Sequence, residues 1–91
     1  MKNIKKSFKI INDIVISDLN DESVILNLKT GKYFQVNELG GFIICNMNEY
    51  TTLAELENKI MHSFNVTIND CQRDLCLFIE ELEGKGLLHF E

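Results

Sequence analysis

Gly31-Lys32-Tyr33-Phe34-Gln35-Val36-Asn37-Glu38-Leu39-Gly40 passes from the end of an apolar hairpin to the start of a helix, and that switch decides the fold. Upstream, Val24-Ile25-Leu26-Asn27-Leu28 is a β-branched and apolar run, and Lys29-Thr30-Gly31-Lys32 is a Gly-containing connection of hairpin length, so two strands pair across it. Side chains alternate along a strand. In the second strand Phe34 and Val36 are therefore expected in the core, with Tyr33 and Gln35 outward; in the first, Val24, Leu26 and Leu28 form the set expected to face the core. Asn37 suits a helix N-cap, Glu38 suits the first turn, and Leu39, Phe42 and Ile43 make an i, i+3, i+4 stripe. Gly40-Gly41 lowers helicity but suits close packing of this helix on the sheet.

Further along, Thr52-Leu53-Ala54-Glu55 has the capping-box pattern and opens a second helix with Leu53, Leu56, Ile60 and Phe64 along one side. Thr67 is the next N-cap candidate, and Ile68, Cys71, Leu75, Phe78, Ile79 and Leu82 form the stripe of a third helix that Gly84 is expected to stop. Towards the start, Ile14 to Ser17 reads as a first strand, and Asp18 to Glu22 as the polar link to the hairpin. The apolar Leu87-Leu88-His89-Phe90 either adds a short terminal strand or packs on the core. Strands first and helices second indicate α+β organisation rather than βαβ alternation. The expectation is a single domain over residues 1–91, with 1–8 flexible.

A chain of 91 residues buries roughly 60 to 65% of its unfolded surface, which leaves little core for a deep catalytic cavity. No apolar run approaches the ~20 residues of a membrane span, and the basic start leads into no signal-peptide core, so the chain reads as cytoplasmic. Cys45, Cys71 and Cys76 have no paired-ligand spacing and are odd in number, which argues against a metal site or a closed disulfide framework. Neither His62 nor His89 has a nucleophile or carboxylate companion, and there is no Gly-rich phosphate loop, so neither catalysis nor a cofactor is expected. From residue 11 onward five basic residues face fourteen acidic ones, a net of −9. Such a body repels phosphate and favours basic or neutral partners.

The order of these motifs resembles the PqqD-like family, the peptide-recognition domains of ribosomal natural-product biosynthesis known as RiPP recognition elements. The hairpin Val24 to Asn37, the helix beginning Leu39-Gly40, the Thr52-capped helix and the stretch from Asp74-Leu75 to Gly86-Leu87-Leu88 carry the likeness. It implies a winged helix-turn-helix, with a three-stranded antiparallel sheet followed by three helices, and capture of a precursor's leader peptide as an added strand beside the third helix. The site implied comprises Lys32, Tyr33, Phe34, Gln35 and Val36, facing Arg73, Asp74, Leu77 and Phe78. Arg73 would pair with an acidic leader residue, although Asp70 and Asp74 are also within its reach. The chain lacks the Pro-Glu and Asp-Gly pairs of members dedicated to the quinone cofactor, having no proline and reading Met47-Asn48-Glu49-Tyr50 after the first helix. The implied partner is thus a radical SAM enzyme or a lasso-peptide leader peptidase, with no nucleic acid and no membrane.

An exposed sheet edge supplies the physics independently, because unpaired N–H and C=O groups on an edge strand accept an extended peptide. Two alternatives belong to other classes. A winged-helix regulator would lay its third helix in DNA, but that helix has Arg73 and Lys85 against Asp70, Asp74, Glu80, Glu81 and Glu83. A protein-bridging regulatory subunit is compatible with the same acidic surface.

Overall fold

The structure is a computed structural model and describes residues 7–19 and 22–91. Among these, β1 (Phe8–Ile10), β2 (Ile14–Leu19), β3 (Glu22–Asn27) and β4 (Tyr33–Val36) precede α1 (Glu38–Cys45), α2 (Leu53–Ser63) and α3 (Ile68–Gly84), and β5 (Leu88–Phe90) ends the chain. Strands β2, β3 and β4 form an antiparallel sheet in that order, as the winged helix-turn-helix reading expects, while β1 and β5 pair in a separate antiparallel ribbon.

The ribbon corrects the expected start of the chain. Residues 1–6 of the segment expected to be flexible lie outside the described residues, but Phe8 at its end is fully buried. Its backbone exchanges two hydrogen bonds with Thr51, and the N–H groups of Ile10 and Ile11 donate to Met47 and Leu87. Strand β1 thus ties the α1–α2 link to the last strand, and Phe8 meets Phe90 edge-on at 6.2 Å.

The core-facing side of β3 is also corrected. Ile25 is fully buried and Ser23 nearly so, whereas Val24 and Leu26 are half-buried on the opposite face and Leu28 is exposed in the turn. Both faces of this strand carry apolar residues, so alternation alone does not choose between them. The choice follows from the partners: Ile16, Ile25 and Phe34 align across the three strands, and Ser23 pairs with Val36. Ser23 is tolerated inside because its hydroxyl donates to Asp18 Oδ1 at 2.7 Å. That contact lies within strand pairing that takes in Asp18, Leu19 and Glu22, three residues expected in the polar link; residues 20–21 of that link lie outside the described residues.

The helices begin where the caps indicate. Asn37 accepts from the Gly40 N–H at 2.9 Å, Thr52 from Glu55 at 3.2 Å and Thr67 from Asp70 at 3.2 Å. Helix α3 buries Cys71, Leu75, Ile79 and Leu82, but Ile68, expected on that stripe, is 43% exposed in the first turn. The helix ends at Gly84, as expected, but Gly84 is not what stops it. Its terminator is Gly86, whose φ of 72° suits glycine, with Leu87 N–H bonded to Leu82 C=O and Gly86 N–H to Glu83 C=O. Buried Leu82 and Leu87 complete this Schellman-type end and turn the chain into β5.

Candidate functional site

The hairpin closes through a four-residue loop, with Asn27 N–H donating to Lys32 C=O and Gly31 N–H to Asn27 C=O. That bond phases the whole β3–β4 ladder. In an antiparallel pair, hydrogen-bonded and non-hydrogen-bonded positions alternate. Counting from the Asn27–Lys32 pair, Phe34 and Val36 direct their backbone groups to β3, and Tyr33 and Gln35 direct theirs to the free edge. The edge therefore offers N–H and C=O at Tyr33 and Gln35, while the half-buried Phe34 and buried Val36 turn their side chains inward. Tyr33, 74% exposed, stands on the outer face in a cross-strand row with Leu26 and Val15. The Gln35 amide donates to the Glu22 carboxylate on that face.

The second wall is α3, held close by two features. Gly40 lets the start of α1 approach both elements: a side chain there would begin 2.9 Å from Val36 Cβ and 3.3 Å from the Phe78 ring. Gly41 similarly lies on Ser23, at 2.7 Å from its hydroxyl for an added Cβ, so the close packing anticipated for this glycine pair is observed. At the other end Lys85 reaches over Phe34, with Nζ 5.1 Å from the ring centroid. Between hairpin and helix end lies a cleft of about 360 Å³, lined by Asn27, Lys32, Tyr33, Phe34, Lys85 and Leu87.

Helical spacing from Phe78 and Lys85 sets which α3 residues border this groove. Asp74, Phe78, Glu81 and Lys85 follow one stripe, and Leu77, 55% exposed, stands a step towards solvent. The structure brings Lys32, Tyr33 and Phe34 together with Lys85 at the cleft and places Phe78 close to Val36 beside Gly40, whereas Asp74 pairs with Arg73 at 3.3 Å and Leu77 is exposed. It does not bring Arg73 to the cleft. Arg73 is held by Asp70 at 3.0 Å and Asp74 at 3.3 Å, and it lines a separate depression of about 430 Å³ with Leu53 and Glu57 of α2. Lys85 is the groove residue that the sequence reading missed. Its position seven residues beyond Phe78, two helical turns on, was the available signal, usable only once the facing strand is known.

Other chemistry is sparse. All three cysteines are free, and burial, with Glu57 and Asp74 adding to it, pushes the Cys71 thiol above its ordinary value and keeps it protonated near neutrality. Among the described residues no group of three or more His, Cys, Asp or Glu side chains is placed to hold a metal ion, and no helix is long and apolar enough to cross a membrane.

Fold and site together define a small winged-helix domain with an open strand edge facing a helix. The family model for coenzyme PQQ synthesis protein D (PqqD) matches residues 22–88, and the chain belongs to that family. It is similar to the structure of TbiB1 in complex with the TbiA(beta) leader peptide, at 32% identity and a TM-score of 0.76, covering 89% of this chain and 94% of that one. It also shares its fold with a lasso peptide synthetase B1 complexed with the leader peptide, at 20% identity and a TM-score of 0.73, covering 90% and 96% of the two chains. A comparison with curated proteins returns no match.

Proposed function

We propose that this chain is a single-domain, non-catalytic adaptor of the cytoplasm. It captures the leader segment of a ribosomally made precursor peptide and presents it to a separately encoded modifying enzyme, such as a radical SAM enzyme or a lasso-peptide leader peptidase. The observation that carries the reading is the β4 edge, whose free N–H and C=O groups at Tyr33 and Gln35 lie beside the wall formed by Phe78 and Lys85. A leader strand added there gains backbone hydrogen bonds, and side chains on its inner face enter the groove. Family membership supports the reading, as does TbiB1, whose structure contains a leader peptide. The adaptor's contribution is effective concentration: the modifiable part of a tethered precursor stays near the enzyme's active site without any bond being made or broken by this chain.

Titration of isotope-labelled protein with the leader peptide encoded beside its gene tests this. Saturable amide shifts concentrated on Lys32 to Val36 and α3 are expected. A folded protein whose spectrum does not change would overturn leader recognition by this chain.

A further inference from the structure

Lys85 from the end of α3 and Lys32 from the hairpin line the cleft together. Of the five basic residues after position 10, two meet at this one cleft in a body of net charge −9. The ion pairs among the described residues lie elsewhere, Lys29 with Asp13 and Arg73 with Asp70 and Asp74, so neither Lys32 nor Lys85 has a carboxylate partner there. A lysine at a helix end often serves only to complement the terminal carbonyls. Here the ammonium reaches across to the Phe34 ring instead, and it stands above a floor that includes buried Leu87. A carboxylate entering the cleft meets two cations over an apolar surface.

Resting on the leader-recognition reading above, we infer that the Lys32–Lys85 cleft is a subsite for one Asp or Glu side chain of the guest peptide. A guest strand on β4 places a side chain about 5 Å from that of Phe34 on the inner face, within reach of Lys85. An acidic side chain held there sets the register of a strand whose backbone pairing alone tolerates slippage.

The test measures binding of the synthetic leader peptide encoded beside the gene, and of versions with each Asp or Glu changed singly to Asn or Gln, to the wild-type chain and to Lys85→Gln and Lys32→Gln. One acidic position should lose about tenfold in affinity at low salt, as for a hydrogen bond to a charged group. Lys85→Gln should lose a similar factor, the two changes together should lose little more than either alone, and the difference should shrink as salt rises. Tight wild-type binding that no acidic replacement weakens, losses that simply multiply in the double change, or a leader without Asp or Glu would overturn the subsite while leaving leader recognition standing. No binding of the wild-type leader would overturn the recognition reading and the subsite with it.

Discussion

The two outer strands of the sheet, β2 and β4, present the same backbone groups and differ in what surrounds them. On β2, Asp18 lies on the same side as Ile14 and Ile16 and is tied to Ser23, so a carboxylate sits on the inward side of the edge. Inward charge of this kind discourages another strand from docking. On β4 the inward side chains are Phe34 and Val36, and α3 supplies a wall at Phe78 and Lys85. The comparison teaches that an open edge is generic, and that β4 differs from β2 in having a helix beside it. Backbone hydrogen bonds are available on both edges, but a groove with apolar and charged contacts is formed on β4.

Matched proline substitutions put the largest strain on this comparison. Gln35→Pro removes an N–H aimed at the β4 free edge, and Asp18→Pro removes the equivalent outward N–H on β2. Loss of a guest hydrogen bond, with an acceptor left unsatisfied, costs about 2–3 kcal/mol, roughly 30- to 150-fold in leader affinity. The expected result by calorimetry is that large loss for Gln35→Pro and unchanged affinity for Asp18→Pro, with circular dichroism confirming that both fold. Val36→Pro does not serve the purpose, because its N–H points to β3 and its loss damages the sheet. Equal affinities for the two variants would show that strand addition at β4 is wrong.

Phe78→Ala sharpens the comparison on the helix side. The ring is half-buried and lies against Gly40, so its loss removes part of the groove wall without opening the centre of the core. Withdrawing about 60 Å² of apolar contact from a guest corresponds to about 1.5 kcal/mol, roughly tenfold in affinity. A thermal melt run alongside separates this from general destabilisation. Affinity retained in a protein of lowered melting temperature would assign Phe78 to packing alone.

What could be read from the sequence follows from the range of the interactions. The caps Asn37, Thr52 and Thr67 and the inward set Phe34 and Val36 depend on neighbours in the chain, and the structure places them as the sequence indicates. The buried face of β3 was not legible, since Val24 and Leu26 look as apolar as Ile25 until Ser23 is seen beneath Gly41 and bonded to Asp18. Nor was β1, a three-residue strand whose partner, β5, lies at the far end of the chain. The groove's strand was legible from the hairpin, but its helical residues were only partly so. Periodicity put Phe78 on the apolar stripe of the third helix, whereas the face turned to β4, with Lys85 on it, depended on how α3 packs. The charge of Arg73 suits an acidic guest, but its packing places it on the other side, with Asp70 and Asp74 and beside α2.

Arg73→Ala therefore tests the weakest effect and the boundary of the site. The guanidinium is half exposed and already shared between Asp70 and Asp74, both on its own helix. Exposed pairs of this kind contribute about 0–1 kcal/mol to stability, and recruiting Arg73 to a guest would first require giving up both carboxylates. Leader affinity is expected to stay within about twofold of wild type, with a salt dependence like that of the unmodified chain. A larger loss that weakens as salt is raised would mean that the guest crosses α3 towards α2, so that the receptor surface extends over the top of the helix rather than ending at the stripe from Asp74 to Lys85.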